Sequence, residues 1–210
     1  MLFEKEKYDI IFLQETFWDA PVEVFAKEEW NGNIYSSLHP VDKRKGVSIL
    51  IRKDCDVQII RSITDQIGRL LQIEACIEQQ IVTLVNIYAP NNNTERKQFF
   101  TELHERLQII SSNIILAGDF NNVINTRLDK YPPSHASDVS RKPLNDLMNN
   151  KQLVDIWREL NPNSVTFSRS RQTRDCYTAS RIDRFLLSED LKHMLNPVIT
   201  TLTHVRTMTE

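Results

Sequence analysis

Short apolar runs separated by polar turns predict most of the strands in this chain. The runs are rich in β-branched side chains, which favour strands. The predicted strands cover residues 8–15, 47–51, 70–77, 82–88 and 114–117. The run at 114–117 has no polar alternation, which is typical of a strand covered on both faces. Residues 19–45 are mixed and polar, so no element is predicted there, and Trp30 and Tyr35 are expected to be packing anchors.

Apolar residues at helical spacing predict helices that lie on this sheet. Between residues 94 and 110 these residues are Phe99, Phe100, Leu103, Leu107 and Ile110, with Asn92, Asn93 or Thr94 as the cap. Further helices are predicted after Pro143, with Leu144, Leu147 and Met148 inward, over residues 153–160, and from Ser188 to residue 195. The order strand, helix, strand predicts a layered α/β domain.

The last part of the chain predicts a hairpin around an arginine-rich loop. Residues 165–168 and 181–187 are its predicted strands, and Arg169, Arg171 and Arg174 lie between them with one aspartate. Arginines spaced through a loop tip are typical of contact with a phosphate backbone or a minor groove, and a solvated tip is the alternative. Residues 125–141 predict a surface loop. Residues 198–205 predict a last strand, in which nothing indicates a catalytic role for His204.

Polar side chains directly follow several predicted strands. Gly118 lets the chain turn after the strand at 114–117, and Asp119 and Asn121 then point the same way because side chains alternate. A carboxylate beside an amide can position a water and hold a phosphate oxygen, whereas the alternative is a simple turn. Glu15 follows the first strand similarly and is otherwise a solvated loop acid. Together, Glu15 and Asp119 would make a site for a hard divalent cation.

Two other polar residues lie at predicted strands. Tyr88 precedes Pro90, which must stop regular pairing, and its alternative is a core tyrosine with a surface hydroxyl. Asp183 has apolar neighbours on both sides, and a half-buried strand carboxylate generally has a partner. The basic run at 43–45 is read as a solvated turn, with phosphate contact as the alternative.

Composition narrows the class of protein. The 210 residues suit one domain, and a net charge of −2 makes no general case for binding a polyanion, so nucleic-acid contact must come from local patches. The cysteines Cys55, Cys76 and Cys176 are odd in number and lack CxxC spacing, which argues against a disulfide framework or a zinc site and favours a reducing compartment. Neither a membrane span nor a signal peptide is predicted.

Four strand-end motifs together resemble the endonuclease/exonuclease/phosphatase superfamily, which includes exonuclease III-like abasic-site nucleases. They are Leu13-Gln14-Glu15-Thr16, Asn86-Ile87-Tyr88-Ala89-Pro90, Gly118-Asp119-Phe120-Asn121 and Ser180-Arg181-Ile182-Asp183. Each motif is short, but all four occur in the family's order. Within the superfamily, residues 118–130, 153–158 and 165–168 look most like the endonuclease domain of LINE-type non-LTR retrotransposons.

The resemblance implies a four-layer α/β sandwich, in which two facing mixed β-sheets are flanked by helices. Glu15 would bind Mg²⁺, with Mn²⁺ as the alternative ion. Asp119 would activate the attacking water, Asn121 and Tyr88 would hold phosphate oxygens, and Asp183 would orient a catalytic histidine. The residues expected to contact DNA are Asn91, Thr166, Arg169, Arg171, Arg174 and Arg181.

Two departures from the family pattern lead to an expectation of truncation. The family's first strand, with an Asn-x-Asn motif, should precede residue 1, and a Ser-Asp-His motif should follow the last strand. Residues 1–210 are therefore expected to form a single domain that lacks both pieces. The missing aspartate would be a metal ligand, and the missing histidine is the partner that Asp183 should hold. Activity is expected to be strongly impaired, because catalytic groups that act as a unit fail together.

The implied function is Mg²⁺-dependent nicking of DNA, which starts target-primed reverse transcription in LINE-type elements. The resemblance also implies a reverse transcriptase domain downstream in the parent protein and an intracellular, nuclear location. One alternative is an inactive retrotransposon relic that still binds DNA. The other is a phosphodiesterase or phosphatase of the same superfamily acting on a small phosphodiester or phosphoinositide. The target sequence and the oligomeric state do not follow from the sequence.

Overall fold

The computed structural model describes residues 8–134 and 137–192, which divide into two compact units. The described part of Met1–Tyr88, together with Ser112–Gly118, forms the first unit. Ala89–Ser111 and the described part of Asp119–Glu210 form the second unit. Among the described residues, no helix is long and apolar enough to cross a membrane.

The described part of the first unit contains two sheets and one helix. A three-stranded antiparallel sheet has the order β1 (Ile10–Gln14), β3 (Gly46–Arg52), β2 (Gly32–Leu38). A second sheet runs β4 (Val57–Thr64), β5 (Leu70–Ile77), β6 (Gln80–Tyr88), β7 (Asn113–Asp119). Strand β3 contacts β5 and β6, so the two sheets pack against each other. Helix α1 (Ala20–Glu29) contacts β2 and contributes Ala26 to a small apolar cluster with Trp30 and Leu50.

The predicted strands of this unit are confirmed, but three elements in it were not predicted. Helix α1 buries only Ala26 and exposes Val24 and Phe25, so it has no apolar stripe to detect. Strand β4 lies at the edge of its sheet and is largely exposed. Polar residues therefore interrupt its apolar pattern, and the sequence does not predict it as a strand. Strand β2 follows α1 directly in the segment that the sequence left unassigned. Trp30 is buried as expected, and Tyr35 is half-buried.

Gly118 allows strands β6 and β7 to approach closely at the position where the candidate site begins. Its φ is +139°, and a Cβ placed there would lie 2.0 Å from the carbonyl oxygen of Ile87. Both the backbone conformation and the space therefore require glycine. The sequence predicted the turn, whereas the tight contact with Ile87 depends on the fold.

We expect Gly118→Ala to lower the free energy of unfolding by at least about 1–3 kcal/mol, because the new methyl group overlaps backbone atoms that cannot rotate away. Urea denaturation followed by circular dichroism measures the change. Ser111→Ala, at an exposed position, serves as the control. A loss no larger than that of the control would show that the backbone relaxes around the methyl group.

The second unit is built on a helix pair and two small groups of strands. Helix α2 (Asn93–Gln108) packs on α3 (Arg141–Asn150), and the side chain of Asn92 caps α2 by accepting from the amides of Thr94 and Glu95. Strand β9 (Leu153–Asp155) pairs antiparallel with β12 (Asp183–Ser188) and is followed by the short helix α4 (Ile156–Leu160). Strand β11 (Tyr177–Ser180) pairs on one side with β10 (Arg169–Gln172) and on the other with β8 (Lys130–Tyr131).

Three predictions in this unit need correction. The helix expected over residues 153–160 is a strand followed by a helix, because the Asp155 side chain caps α4 and ends β9. Residues 165–168 are not a strand, and the hairpin forms from residues 169–180, within the expected loop. Arg169 and Arg171 therefore lie on a strand, and only Arg174 is in the turn. The loop at 125–141 contains the two-residue strand β8.

The end of the chain is only partly described. A 3₁₀ helix covers Glu189–Leu191, where the sequence predicted a helix from Ser188 to residue 195. The predicted strand at 198–205, with His204, lies outside the described residues.

Candidate active site

Glu15 and Tyr88 meet in the first unit. Strand β1 ends one residue before Glu15, and β6 ends at Tyr88. The Tyr88 hydroxyl donates a hydrogen bond to the Glu15 carboxylate. Glu15 has a φ of +49°, which is unusual for a side chain with a Cβ and fixes the turn that carries the carboxylate. The two residues predicted separately at strand ends therefore form a single hydrogen-bonded pair.

Asn86 positions the backbone that leads into Glu15. Its amide nitrogen donates to the carbonyl oxygens of Leu13 (2.9 Å) and Ser48 (2.8 Å), and its amide oxygen accepts from Gln14 Nε2 (2.6 Å). The Asn86 side chain is fully buried, so these bonds are made away from water. No role was predicted for Asn86 from the sequence. Its signal is an amide in the middle of an otherwise apolar strand, since a buried polar group needs partners.

Arg69 supports Tyr88 from a second side. Its guanidinium lies 5.4 Å from the centre of the Tyr88 ring and donates to the Tyr88 carbonyl oxygen at 3.0 Å. The backbone amide of Arg69 donates to both carboxylate oxygens of Asp65. Tyr88 is thus held at three points: its hydroxyl, its ring face and its backbone carbonyl. Nothing in the local sequence around Arg69 indicates this contact.

Asp119 and Asn121 form a tight turn in the second unit. The backbone amide of Asn121 donates to Asp119 Oδ1 at 2.7 Å, and Asn121 has a φ of +46°. Asn121 Nδ2 donates to the carbonyl oxygen of Ala89 at 2.9 Å, while the amide of Ala89 donates to the Asp119 carbonyl oxygen at 2.8 Å. The turn considered as the simpler alternative is therefore present. It also holds the carboxylate and the amide rigidly, as a chemical site requires.

The segment carrying Asp183 is hydrogen-bonded to this turn. The amide of Phe120 donates to the carbonyl oxygen of Ile182 at 2.9 Å. Ser168 Oγ accepts from the amides of Ile182 (3.0 Å) and Asp183 (3.1 Å), which fixes the start of β12. Asp183 is half-buried, as its apolar neighbours indicated. The structure therefore brings together the third and fourth sequence motifs, 118–121 and 180–183, through their backbones.

A buried ionic cluster lies under the fourth motif. Its members are Asp129, Asp155, Arg158, Arg181 and Arg184, all in the second unit. Arg181 donates to Asp129 through Nε (2.9 Å) and to Asp155 through Nη2 (2.6 Å). Arg158 donates to Asp129, and Arg184 donates to the Arg181 carbonyl oxygen at 2.9 Å. The guanidinium groups of Arg158 and Arg181 lie 4.9 and 5.1 Å from the Trp157 ring centre.

The pKa values in the cluster follow from burial set against opposite charges. Burial acts to raise the pKa of Asp129, but hydrogen bonds from Arg181 and Arg158 and the charge of Arg184 outweigh it and hold that pKa below its usual value. Burial lowers the pKa of Arg184 to about 10, and the neighbouring charge of Arg181 acts in the same direction. The Asp129 carboxylate is therefore ionised at neutral pH and compensates buried cations.

A polar cleft of about 350 Å³ opens beside this segment. It is lined by Asn91, Asn93, Arg96, Asn121, Val123, Thr126, Lys130, Ser134, Ser137, Asp138, Arg141, Arg169, Ser180 and Ile182. Among the described residues, the lining contains four cations and one carboxylate, Asp138, which pairs with the buried Arg96 at 2.9 Å. The remaining cations give the cleft a net positive charge, which suits an anionic ligand. Lys130 and Arg141 were not among the predicted ligand-binding residues.

The residues predicted to contact DNA differ in their exposure. Asn91, Thr166, Arg169, Arg171 and Arg174 are exposed, and of these Asn91 and Arg169 line the cleft. Arg181 is buried, and its guanidinium is occupied by Asp129 and Asp155. The structure thus places Arg181 in the ionic cluster instead of on a surface that DNA could reach. The sequence signal for the burial of Arg181 was the presence of two possible carboxylate partners, Asp129 in segment 118–130 and Asp155 in segment 153–158.

Glu15 offers the donor chemistry of a magnesium ligand. Mg²⁺ keeps several waters and is typically bound through one or two carboxylates, which a single glutamate held by Tyr88 can satisfy. Over residues 8–134 and 137–192, no three or more His, Cys, Asp or Glu side chains are grouped closely enough to hold a metal ion. The carboxylate oxygens of Glu15 are the type of ligand that a hydrated hard cation takes.

Comparison with known proteins identifies the family. A family model described as "Endonuclease/Exonuclease/phosphatase family" matches residues 2–193. The chain belongs to this family. It is also 32% identical over 186 residues to the "Transposon TX1 uncharacterized 149 kDa protein" of Xenopus laevis. The matched region covers 88% of this chain and 14% of that protein. The resemblance stated from the four motifs is confirmed. The chain spans only a small part of its transposon relative.

Solved structures show the fold. An AP endonuclease from Archaeoglobus fulgidus matches with a TM-score of 0.69 and 21% identity over 91% of this chain and 80% of that one. The catalytic domain of APE2 from Xenopus laevis matches with a TM-score of 0.69 and 18% identity, covering 91% and 77% of the two chains. The AP endonuclease LMAP from Leishmania major matches with a TM-score of 0.65 and 19% identity, over 91% of this chain and 73% of that one. The predicted α/β, DNase-like fold class is confirmed.

Proposed function

We propose that this chain is a Mg²⁺-dependent endonuclease that hydrolyses phosphodiester bonds of DNA and nicks one strand, as retrotransposon endonucleases do. The observation that carries the proposal is the Asp119–Asn121 turn, bonded to the Asp183 segment beside a cation-lined cleft. Family membership supports hydrolysis of phosphate esters. The similarity to a transposon protein supports the retrotransposon origin.

Asp119 and Asn121 have complementary roles in this proposal. The Asp119 carboxylate orients the attacking water and accepts its proton as general base. Asn121 Nδ2 carries two N–H groups, one of which donates to Ala89, and the other holds a phosphate oxygen as negative charge builds up. Because the turn is already hydrogen-bonded on both sides, neither group needs to reorganise during the reaction.

Glu15 is the proposed metal ligand, and Tyr88 holds its carboxylate in place. Mg²⁺, or Mn²⁺ in its place, would supply positive charge to the scissile phosphate and the leaving oxygen. Tyr88 carries a single O–H, so it holds a phosphate oxygen in this proposal only when that proton turns from the Glu15 carboxylate to the phosphate. In the intact parent protein, Asp183, fixed through Ser168, is proposed to orient the histidine of the family's Ser-Asp-His motif in its working tautomer.

Exposed arginines supply the proposed DNA-binding surface. Arg169, Arg171 and Arg174 contact phosphates, together with Asn91 and Thr166. The cleft residues Lys130 and Arg141 extend this surface, whereas the buried Arg181 is left out of it. Each phosphate contact releases counterions, so DNA affinity is expected to fall steeply with salt.

Nicking of supercoiled plasmid by the purified chain tests the proposal. Mg²⁺ is expected to convert supercoiled plasmid to the open-circular form, and EDTA is expected to abolish the conversion. The rate of this conversion measures the activity of residues 1–210. If a folded chain produced equal nicking with EDTA, metal-dependent hydrolysis would be the wrong reaction.

An inactive DNA-binding relic is distinguished by binding without cleavage. Fluorescence anisotropy with a labelled duplex would then show salt-sensitive affinity, with loss of binding when Arg169, Arg171 and Arg174 are changed to alanine. A phosphatase of the same superfamily would instead release phosphate from a small ester and leave the plasmid intact. For the intact parent protein, we further propose a downstream reverse transcriptase domain and a nuclear location.

A further inference from the structure

The three-stranded ribbon of β10, β11 and β8 has two chemically different faces. The register pairs Arg169 with Ser180 and Ser180 with Lys130, and these three residues line the cleft. The next row pairs Ser170 with Ala179 and Ala179 with Tyr131. Because side chains alternate along a strand, this second row points to the opposite face. One face of the ribbon is therefore basic and borders the cleft.

The opposite face carries two tyrosines. Tyr177 is two residues from Ala179 on β11, so Tyr177 and Tyr131 lie on the same face. Their ring centres are 5.7 Å apart and tilted by 45°. The side chains remain 50% (Tyr131) and 42% (Tyr177) exposed, whereas Ala179 between them is buried. The two rings thus cover Ala179 and present their outer surfaces to solvent.

We propose that this tyrosine face stacks an unpaired nucleobase of the DNA strand bound by the basic face. Two half-exposed aromatic rings provide a stacking surface, and Gln172, paired directly with Tyr177, offers an amide to a base edge. Arg171 and Arg174 nearby supply positive charge for the adjoining phosphates. The ring spacing leaves no room for a base between the tyrosines, so the base stacks on the outside of the pair.

The substrate is then DNA that contains a single-stranded stretch next to a duplex. This inference rests on the proposed function, because it requires the ribbon to lie on DNA. A fully paired duplex has its bases stacked internally and engages only the basic face. Opened or gapped DNA engages both faces and should bind more tightly, since stacking on an aromatic ring contributes to affinity whatever the base.

Binding in EDTA tests the inference without cleavage. Anisotropy at constant salt compares a labelled duplex with the same duplex interrupted by a single-stranded thymidine tract. The double change Tyr131→Ala and Tyr177→Ala is expected to weaken binding to the gapped DNA about 5- to 150-fold and to leave duplex binding within about twofold. The double change to phenylalanine keeps the rings and should retain gapped-DNA binding. Fluorescence of 2-aminopurine in the tract reports the stacking directly.

Controls separate this inference from the proposed function. Phe25→Ala removes an exposed ring in the other unit and should change neither affinity. Arg171→Ala should weaken binding to both DNAs. The stacking role would be overturned if the alanine double variant lost affinity equally for both DNAs or for neither. It would also be overturned if the phenylalanine double variant lost as much affinity for gapped DNA as the alanine variant. A shift in sedimentation of that variant would instead assign the face to a protein contact and also overturn it. If the unmodified chain binds neither DNA, the proposed function itself fails.

Discussion

Replacing Asp119 by asparagine is expected to lower the rate of Mg²⁺-dependent nicking by about 10²- to 10⁴-fold, the range typical of a general base. Asparagine keeps the shape of the side chain and an oxygen that can accept from the amide of Asn121, a bond of 2.7 Å in this structure. The substitution removes the negative charge and the ability to take a proton. The expected loss is therefore chemical, with the turn preserved.

Single-turnover nicking, with protein in excess over plasmid, measures the chemical step without product release. The matched control is Asp146→Asn, which removes a carboxylate from the exposed surface of α3, where it pairs with Lys142 at 2.7 Å. We expect this control to nick at the rate of the unmodified chain. Thermal melting of both variants checks that the folded fraction is the same. If the Asp119 variant nicked within a few-fold of the control, Asp119 could not be the general base.

The Asp119–Asn121 turn is the part of the site that sequence reasoning predicts best. A buried strand, a glycine and two closely spaced polar residues are all local features. The strand ends at Asp119, and a turn with a φ of +46° at Asn121 holds the two residues together. The same applies to Glu15 at the end of β1. The hydrogen bond from Tyr88 to Glu15 joins residues 73 positions apart, and it could not be derived from either segment alone.

Supporting residues are harder to predict because their role depends on distant contacts. Asn86 contacts Leu13 and Ser48, which lie on two other strands of the first unit. Arg69 reaches Tyr88 only because β5 and β6 are paired. From the sequence alone Arg69 is predicted to be an ordinary surface cation, since no residue close to it in sequence indicates an aromatic ring for its guanidinium to stack on.

Elements with weak patterns were missed for a related reason. Helix α1 exposes Phe25, and edge strand β4 exposes Ile60 and Ile63, so neither shows the periodicity of a half-buried element. The error at residues 153–160 has another cause. A segment this short, with apolar and charged residues mixed, is ambiguous between strand and helix. Pairing of Leu153–Asp155 with β12 makes its first part a strand.

The ionic cluster leads to the second large expected effect, which concerns stability. Asp129→Asn is expected to lower the free energy of unfolding by about 3–5 kcal/mol, because Asp155 is then the one carboxylate left in the cluster to compensate three guanidinium groups. The Asp129 carboxylate is fully buried, Arg181 binds it through two nitrogens, and Arg184 is completely buried. Asp146→Asn again provides the control, since an exposed pair on a helix contributes only about 0.3–0.5 kcal/mol.

The contribution of Asp129 to the free energy of unfolding should also appear in the pH dependence of the unmodified chain. The pKa of Asp129 is lower in the folded state than in the unfolded chain, where an aspartate has a pKa of about 3.9. Its contribution is therefore fully present above that value and is lost as the pH falls through the folded-state pKa. We expect the free energy of unfolding to decrease below about pH 4, and to decrease less steeply in Asp129→Asn, which has no proton to take up at this position.

Urea denaturation at pH 7 and over the acid range measures both effects, provided that the slope with denaturant is unchanged. A double-mutant cycle with Arg181→Met then isolates the interaction, because residues in one charge network are not additive. The double variant should be more stable than the sum of the single losses predicts, since it removes a buried cation together with its partner. Additive losses would mean that Asp129 stabilises the unit mainly through Arg158 and the backbone, and that Arg181 depends on Asp155 instead.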